Sequence, residues 1–493
     1  MFVVKVNKSR FEYDIHSIVK AFFPEEDVKV LTPDIGMDKQ SIWEKEVKLT
    51  VTLHETGALL CFGTGGERRP YHWQTEKDEE EQRDEKAYKA AFKRFLYSTL
   101  VDYTGKKLPW GNLTGIRPTK IAMELLEAGK KEEEIICKME SEHFVSSTKA
   151  ALCVDIAKRE QKLLSSIHPE NGYSLYIGIP FCPTTCLYCS FTSYPISRHK
   201  DRVEEYIDCL IKEMQFTRKA CQGKTLDSVY IGGGTPTTLE AGQLDRLLTA
   251  LRELFDFSTV QEFTVEAGRA DSITREKLEV LKKHHVERIS INPQTMKQET
   301  LHLIGRQASV VQVEEAYRLA RMVGNFNINM DIILGLPGET EEDVRNTVDR
   351  IAAMGPDSLT VHSLAIKRAS GMNAWIQENG IQTLRNTDAT MKIAADGAAR
   401  MHMQPYYLYR QKNMSGNFEN VGYAREGCYG LYNILIMEEK QSIVAIGAGT
   451  ISKRVYPDGR IERCENVKDV SQYIERIEEM IERKRKIYAD NDL

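Results

Sequence analysis

Short apolar segments alternate with amphipathic stretches through the middle of the chain. Residues 174–179, 227–231, 262–266, 288–292, 327–333 and 358–364 each have the length and apolar content of a buried β-strand. Helical patterns separate these segments, and one begins at a capping box formed by Thr340 and Asp343. Such alternation predicts a parallel sheet. Because six strand–helix units are too few for a closed eightfold barrel, we predict an α/β fold with a partial (β/α)6 barrel and its chemistry at the carboxyl ends of the strands.

Two further regions flank this predicted barrel. Alternating apolar and polar positions at residues 2–7 and 46–53 predict half-exposed strands, and an acidic run predicts a helix from Glu76 through Tyr97. Residues 165–173 have the composition of a linker. We therefore predict an accessory α+β domain over residues 1–168, the barrel over 169–370 and a small substrate-covering domain over 371–493.

Composition narrows the class of protein. Of the 493 residues, 41% are hydrophobic and 28% are charged, and no apolar run reaches the roughly 18–20 residues that a membrane span needs. A formal net charge of −5 gives no overall attraction to nucleic acid. Ten cysteines, without a secretory leader pattern, fit a reducing compartment. We expect a cytoplasmic protein with no membrane span and no nucleic-acid partner.

Three cysteines share one short loop after the first predicted strand. Cys182, Cys186 and Cys189 have the spacing Cys-x3-Cys-x2-Cys. The alternatives are inert core thiols, a disulfide framework and a zinc site, but structural zinc needs four ligands and the sequence has no second Cys-x2-Cys pair. Three thiolates leave one iron of a 4Fe–4S cluster open to a small chelating ligand. The spacing therefore favours a catalytic iron–sulfur cluster.

Glycines and polar side chains follow the other predicted strands. Residues 232–237 read Gly-Gly-Gly-Thr-Pro-Thr, and glycines allow a ligand to approach the backbone closely. Glu266 ends the third strand, Gln294 and then Arg306 follow the fourth, and Asp331 lies late in the fifth. Each residue alone is more typical of a structural polar group. Together they predict one mouth that binds a zwitterionic nucleoside, with carboxylates on ribose hydroxyls and the guanidinium on a carboxylate.

These motifs resemble those of the radical S-adenosylmethionine (SAM) enzymes. Residues 176–182, 232–237, 329–338 and 363–365 are similar to the oxygen-independent coproporphyrinogen III oxidase family. Over the whole chain, including residues 117–120, the similarity is greatest to the HemZ branch of that family, the coproporphyrinogen dehydrogenase branch. The resemblance implies a radical-SAM barrel as the central fold.

The resemblance also implies a role for each matching residue. Cys182, Cys186 and Cys189 would ligate a 4Fe–4S cluster, SAM would chelate its open iron, and Tyr176 would be the catalytic side chain beside both cofactors. The other SAM contacts would be Gly233, Gly234, Thr235, Glu266, Gln294, Arg306 and Asp331, with Ile333 and Ala365 near the adenine. Candidate cations for substrate carboxylates are Lys367, Arg368 and Arg410, for which solvated surface charge is the alternative.

The activity that the resemblance implies is that of an oxidoreductase. Reductive cleavage of SAM would give a 5′-deoxyadenosyl radical that removes a hydrogen atom from a propionate side chain. Loss of carbon dioxide and one electron would then leave a vinyl group. Two rounds would convert coproporphyrinogen III to protoporphyrinogen IX in haem biosynthesis. The implied partners are the tetrapyrrole substrate and an unidentified electron donor and acceptor.

The chain departs from the oxidase pattern at two positions. Phe191 stands where the oxidases have a further cysteine, and Gly178 stands where they have a histidine. The segment from Cys189 to Phe191 resembles the related haem chaperones, although their His-Asn-x-x-Tyr-Trp signature is missing from residues 428–439. Two alternatives therefore stay open: a haem-binding, chaperone-like protein, and a radical SAM enzyme that modifies another tetrapyrrole such as haem.

Overall fold

A computed structural model of the chain describes residues 1–35, 44–63, 68–74, 85–115, 117–367, 370–411 and 417–488. It divides into two units, the first comprising Met1–Asp155 with Arg410–Glu419 and the second comprising Ile156–Tyr409 with Asn420–Leu493. The three-domain division with boundaries near residues 168 and 370 stays a prediction.

The helices in the described part of the chain are named here in chain order. They are α1 (Glu12–Phe22), α2 (Glu85–Thr104), α3 (Thr119–Glu127), α4 (Glu132–His143), α5 (Ser147–Leu164), α6 (Val203–Ala220), α7 (Ala241–Leu254), α8 (Arg275–Lys283), α9 (Gln298–Leu303), α10 (Val310–Val323), α11 (Glu341–Met354), α12 (Met372–Asn379), α13 (Asp388–Arg400), α14 (Leu431–Glu438), α15 (Val470–Glu475) and α16 (Ile477–Tyr488).

The strands follow the same convention. They are β1 (Phe2–Val6), β2 (Val28–Leu31), β3 (Val47–Leu53), β4 (Gly57–Phe62), β5 (Arg69–Gln74), β6 (Gly172–Ile179), β7 (Phe181–Cys182), β8 (Tyr194–Pro195), β9 (Thr225–Gly233), β10 (Glu262–Glu266), β11 (Arg288–Ser290), β12 (Asn327–Leu334), β13 (Ser358–Ser363), β14 (Gln404–Tyr409), β15 (Asn420–Ala424), β16 (Ser442–Ile446), β17 (Ile451–Val455) and β18 (Ile461–Glu465).

The first unit is built on a five-stranded sheet of order β2-β1-β3-β4-β5. Strand β1 is parallel to β2 and β3, and the remaining neighbours are antiparallel. The predicted half-exposed strand over residues 46–53 is confirmed, because Leu49 and Val51 of β3 are buried and alternate with partly exposed residues. The strand predicted over residues 2–7 also forms, as β1, but it is not half-exposed: every residue except Lys5 is buried. Phe92 of α2 lies in the same core. The predicted start of that helix at Glu76 lies outside the described residues.

A buried cluster holds Arg410 and Glu419 in this first unit. The indole Nε1 of Trp110 donates to Glu419 Oε2 at 2.7 Å, and Lys149 pairs with the same carboxylate. The Nη1 of Arg410 donates to the carbonyl of Leu113 at 2.6 Å. Burial lowers the pKa of Arg410 to about 10. Arg410 is thus a buried, hydrogen-bonded side chain and not a solvated surface charge, and its candidate role as a cation for substrate carboxylates stays a prediction.

The six predicted barrel strands all form in the second unit. They are parallel and lie in the order β13-β12-β11-β10-β9-β6. Helices α6, α7, α8, α10 and α11 follow successive strands, and Thr340 caps α11 through the predicted capping box with Asp343. Within the described residues the sheet ends at β14 and β18 and does not close on itself. The α/β class and the open, partial barrel are therefore confirmed.

Strands from the C-terminal region extend this sheet to eleven strands. Strand β16 runs parallel to β6 on its free side and continues into antiparallel β17 and β18. At the opposite edge β15 is antiparallel to β13, and β14 is antiparallel to β15. Strand β16 is predictable from the sequence, because its residues form a short apolar run. Its pairing with β6 is a long-range contact that hydrophobic periodicity does not encode.

A buried ion pair holds the turn after β16. Lys484 of α16 and Glu213 of α6 are paired and fully buried. Glu213 also accepts hydrogen bonds from Gly447 N at 2.8 Å and from Tyr473 Oη at 2.6 Å. Since a buried charge is tolerated only when it is paired and hydrogen-bonded, the network fixes residues 447–450 at the carboxyl edge of the barrel.

In the described part of the chain, no helix combines the length and the apolar character needed to cross a bilayer.

Candidate cluster and cofactor site

The three predicted cluster cysteines lie in the loop that leaves β6 at the carboxyl edge of the barrel. Hydrogen bonds tie this loop to the segment after α9: Leu187 N donates to Ile304 O at 3.0 Å, and Thr184 Oγ1 donates to Gly305 O at 2.8 Å. Within the loop, Cys189 N donates to Cys186 O at 3.1 Å. The loop is therefore a turn anchored to the barrel on both sides of Cys186.

The cysteine thiols are half-buried. Burial raises the pKa of Cys182 to about 11, although a contact of 3.4 Å to Thr235 Oγ1 opposes the rise, and burial also raises the pKa of Cys189. Among the described residues, no three His, Cys, Asp or Glu side chains converge tightly enough for one metal ion. Cluster cysteines each bind a different iron and stand farther apart, so three soft sulfur donors in one loop fit a cluster.

The glycine segment after β9 lies directly against the cysteine loop. Gly234 N donates to Ile179 O at 2.8 Å, and Thr235 N donates to Phe181 O at 2.7 Å. A Cβ atom on Gly234 would come within 2.6 Å of Phe181 O. Gly233 has a φ of 106°, a conformation that side chains rarely adopt. The glycines are thus required by the close approach of two backbones.

Glu266 and Tyr176 lie beneath the glycine segment. Tyr230 Oη donates to Glu266 Oε1 at 2.6 Å, yet burial raises the pKa of Glu266 to about 7. Tyr176 stacks on Tyr230 and on Tyr432 of α14, with ring centroids 6.1 and 5.8 Å away. Burial, and then the charge of Glu266, raise the pKa of Tyr176. Both side chains therefore favour their neutral forms when no ligand compensates for the burial.

Gln294 bridges the ends of β11 and β12. Its N–H donates to Asp331 O at 2.9 Å, and its carbonyl accepts from Ile333 N at 2.9 Å. Gln294 has a φ of 68°, which is uncommon outside glycine. Its side-chain Oε1 is buried and has no hydrogen-bond partner among the described residues. Such a strained backbone with an unsatisfied buried acceptor is typical of a ligand site.

The surroundings of Asp331 favour its ionised form, which accepts hydrogen bonds. Burial raises its pKa, but His362 and Asn329 outweigh that effect and hold the pKa below its usual value. Asn329 Nδ2 donates to Asp331 Oδ1 at 2.6 Å, and His362 Nε2 lies 3.7 Å from Oδ2. His362 is not a predicted site residue. Its contact across two strands follows from the register of β12 and β13, which sequence spacing does not reveal.

Arg306 connects this polar mouth to the cysteine loop. Its guanidinium is buried and donates to Asn292 O and, at 3.2 Å, to Tyr188 Oη. Arg306 Nε and Asn292 Oδ1 are buried without a hydrogen-bond partner in the described ranges. With Gln294 Oε1 they form a set of unsatisfied donors and acceptors, which a polar, zwitterionic ligand would satisfy.

The remaining predicted residues lie at the margin of this mouth. Ile333 is buried late in β12, and Leu364 N donates to Leu334 O at 2.9 Å, which places Ala365 just beyond the ends of both strands. Lys367, two residues after Ala365, is half-buried, whereas Arg368 lies outside the described residues. The roles of all these residues stay predictions.

Several side chains in this region escape sequence-based prediction. They are Thr184, Tyr188, Tyr230, Arg269, His362 and Tyr432. Thr184 and Tyr188 could have been found, because both lie within the cysteine motif. Tyr230, Arg269, His362 and Tyr432 belong to no recognised motif, and only their contacts in the fold show that they lie at the mouth.

Three comparisons relate the chain to known proteins. The radical SAM superfamily model matches residues 176–351. The oxygen-independent coproporphyrinogen-III oxidase-like protein HemZ of Bacillus subtilis (strain 168) is 40% identical over 408 residues, which are 80% of this chain and 81% of that protein. The heme chaperone HemW of Lactococcus lactis subsp. lactis (strain IL1403) is 36% identical over 198 residues, 40% of this chain and 50% of that protein.

A solved structure gives the same fold. The coproporphyrinogen III oxidase HemN of Escherichia coli, a radical SAM enzyme, aligns with a TM-score of 0.50 and 24% identity over 65% of this chain and 72% of that chain. Proteins of the radical SAM superfamily use a 4Fe–4S cluster and SAM, and these are the cofactors of this chain. The 40% identity over most of both sequences shows that the chain belongs to the HemZ family of coproporphyrinogen-III oxidase-like radical SAM proteins.

Proposed function

We propose that the chain catalyses oxidative decarboxylation of coproporphyrinogen III propionates to vinyl groups, giving protoporphyrinogen IX. One observation supports it most directly: unsatisfied polar atoms of Asn292, Gln294 and Arg306 lie beside a loop with three cysteines. The printed name of the Bacillus relative, an oxidase-like protein, supports the choice of substrate. The proposal makes the chain an oxidoreductase of haem biosynthesis.

Different residues of the mouth would bind different parts of the cluster and of SAM. Cys182, Cys186 and Cys189 would ligate the cluster. Gly233, Gly234 and Thr235 would admit the methionine end of SAM close to the backbone, and Arg306 would pair with its carboxylate. Glu266 and Asp331 would accept hydrogen bonds from the ribose hydroxyls. Gln294 would bind the nucleoside, Ile333 and Ala365 would contact the adenine, and Tyr176 would pack beside both cofactors.

The bound cofactors supply one-electron reduction and removal of a hydrogen atom from the propionate. The carbon skeleton then loses carbon dioxide, and one electron passes to an acceptor that remains unidentified. The protein contributes position and exclusion of water. Half-buried Tyr176 and Tyr230, with buried Tyr432, would form a wall that excludes water beneath the reacting group, and Asp331 would stay ionised as a hydrogen-bond acceptor.

Anaerobic turnover tests this function. The reconstituted protein is incubated with SAM, dithionite and coproporphyrinogen III, and both tetrapyrroles and 5′-deoxyadenosine are quantified. We expect protoporphyrinogen IX to form together with 5′-deoxyadenosine. Arg306→Gln should abolish both products, whereas Arg321→Gln, which breaks an ion pair with Asp357 in another part of the barrel, should leave both unchanged. Release of 5′-deoxyadenosine without any decarboxylated product would contradict the proposal.

A chaperone-like function is the second candidate, and two side-chain positions favour it. Phe191 is 76% exposed in the cysteine loop where the oxidases have a cysteine. A Cβ atom on Gly178 would come within 2.5 Å of Thr450 Cγ2, so threonine fills the space that a histidine there would need. If this function is correct, anaerobic protein will retain haem through gel filtration and will form no protoporphyrinogen IX.

A further inference from the structure

Arg269 is a buried cation that none of the predicted roles uses. It lies three residues after β10, at the carboxyl edge of the barrel, and is 3% exposed. Its Nε donates to Asp271 Oδ1 at 3.0 Å, and its Nη2 donates to Asp271 Oδ2 at 2.6 Å. This bidentate pair fixes the plane of the guanidinium and leaves Nη1 as the group that faces the cysteine loop.

The free end of Arg269 contacts the cysteine loop at three atoms. Nη1 lies 3.1 Å from Thr184 O, 2.8 Å from Thr184 Oγ1 and 3.9 Å from Cys186 Sγ. Thr184 Oγ1 in turn donates to Gly305 O. A chain of hydrogen bonds therefore runs from Asp271 through Arg269 and Thr184 to Gly305, and it passes beside a predicted iron ligand.

The backbone of Arg269 is also tied to the glycine segment. Ser272 Oγ donates to Arg269 O at 2.7 Å, and Ser272 Oγ lies 2.7 Å from Thr237 Oγ1. Lys277 Nζ donates to Thr237 O at 2.7 Å. Arg269 is thus held from both ends, so its position relative to Cys186 is set by the barrel and does not depend on the cysteine loop alone.

We propose that Arg269 is a positioning residue that sets the reduction potential of the cluster through Cys186 and Thr184, with Asp271 opposing its charge. The proposal relies on the cluster assignment under the proposed function. Potentials of iron–sulfur clusters depend on nearby charge and on hydrogen bonds to the ligating sulfurs. Reduction adds a negative charge to the cluster, so a guanidinium next to a ligand sulfur favours the reduced state and a nearby carboxylate disfavours it.

The two members of the pair therefore predict shifts of opposite sign. Arg269→Gln removes the cation and should lower the equilibrium constant for cluster reduction about tenfold, which is about 59 mV for one electron. Asp271→Asn removes the opposing carboxylate, keeps the guanidinium and should raise that constant. Arg321→Gln is the matched control, because it breaks another Arg–Asp pair, with Asp357 at 2.8 Å, and should leave the potential unchanged.

The measurement is an anaerobic redox titration followed by electron paramagnetic resonance, with iron and sulfide analysis of each variant. Opposite shifts for Arg269→Gln and Asp271→Asn would support the inference. Unchanged potentials, or shifts in the same direction, on loaded clusters would overturn it and leave the proposed function intact. Should Arg269→Gln hold no iron, Asp271→Asn alone decides: a raised potential supports the inference and an unchanged one overturns it. Wild-type protein without iron would overturn both.

Discussion

At the scale of single residues, Gly234 marks the place where one added carbon atom would separate two backbones. Its Cβ position lies 2.6 Å from Phe181 O and 2.9 Å from Ile179 O, both backbone atoms that cannot swing aside. Gly234→Ala should therefore displace the glycine segment from the cysteine loop. We expect a loss of about 1–3 kcal/mol in stability and at least a tenfold weaker Kd for SAM, measured by thermal unfolding and calorimetric titration.

The control for this substitution is Gly242→Ala in the first turn of α7, where a Cβ atom meets nothing within 4 Å. Alanine favours helix over glycine, so this variant should be as stable as wild type or slightly more stable. Equal SAM affinity in the two alanine variants would show that the close approach at Gly234 has no role in binding.

Glu266 gives a pH-dependent prediction. Burial raises its pKa from 4.5 to about 7, so the folded apoprotein binds more protons at this group than the unfolded chain between these values. Stability contributed by Glu266 is therefore complete below pH 4.5 and is lost as the pH rises through about 7. Between pH 5 and pH 8, the free energy of unfolding of Glu266→Gln should rise relative to that of wild type by up to about 3 kcal/mol. The measurement is thermal unfolding of the apoprotein at both pH values.

The same variant should bind SAM at least tenfold more weakly, because a carboxylate is a stronger acceptor for ribose hydroxyls than an amide. Glu339 is the matched control, since burial also raises its pKa to about 7 but its carboxylate accepts from Thr295. Glu339→Gln should show a similar pH-dependent gain in stability with unchanged SAM affinity. Weaker SAM binding by both variants would contradict the proposed role of Glu266.

At the scale of elements, the ion pair between α6 and α16 couples the last helix to the barrel edge. Lys484→Met would leave Glu213 buried without its counter-charge, at a cost of about 3–5 kcal/mol. The double substitution Glu213→Gln with Lys484→Met should recover much of that loss, because no charge then stays unpaired. Thermal unfolding of the two single variants and the double variant gives the coupling energy.

Lys392→Met is the control for this cycle. Lys392 pairs with Asp396 one turn along α13, and both side chains are exposed, so its loss should leave the unfolding midpoint unchanged. Additive effects of the substitutions at Glu213 and Lys484 would show that the two helices are not coupled through this pair.

The elements themselves were largely predictable from the sequence. Period-two and apolar segments gave all six parallel strands of the barrel, and the capping box at Thr340 gave the start of α11, because these signals are local. The pairing of β16 with β6 and the stacking of Tyr432 on Tyr176 were not predictable. Both contacts join residues more than 200 positions apart, and no local pattern selects the partner.

At the scale of the whole molecule, the candidate site was predictable in its chemistry and not in its full membership. Cys182, Cys186 and Cys189 were predictable because all three lie within one short segment, so that their spacing is a local signal. Arg269 and His362 reach the same mouth from other strands, and neither belongs to a motif that would single it out. Burial of Arg410 was also unpredictable: the alternative of a solvated surface charge is wrong, because the fold buries this side chain and Leu113 O accepts a hydrogen bond from it.

Iron and sulfide analysis shows whether the loop with Cys182, Cys186 and Cys189 holds a 4Fe–4S cluster. Anaerobically reconstituted wild-type protein, Cys428→Ala and single alanine variants of Cys182, Cys186 and Cys189 are compared. Cys428 is a half-buried cysteine outside the loop. We expect about four iron and four sulfide per chain in wild type and Cys428→Ala, and loss of the cluster in each of the other variants. Zinc in the wild-type protein, or full iron content in the loop variants, would contradict this expectation.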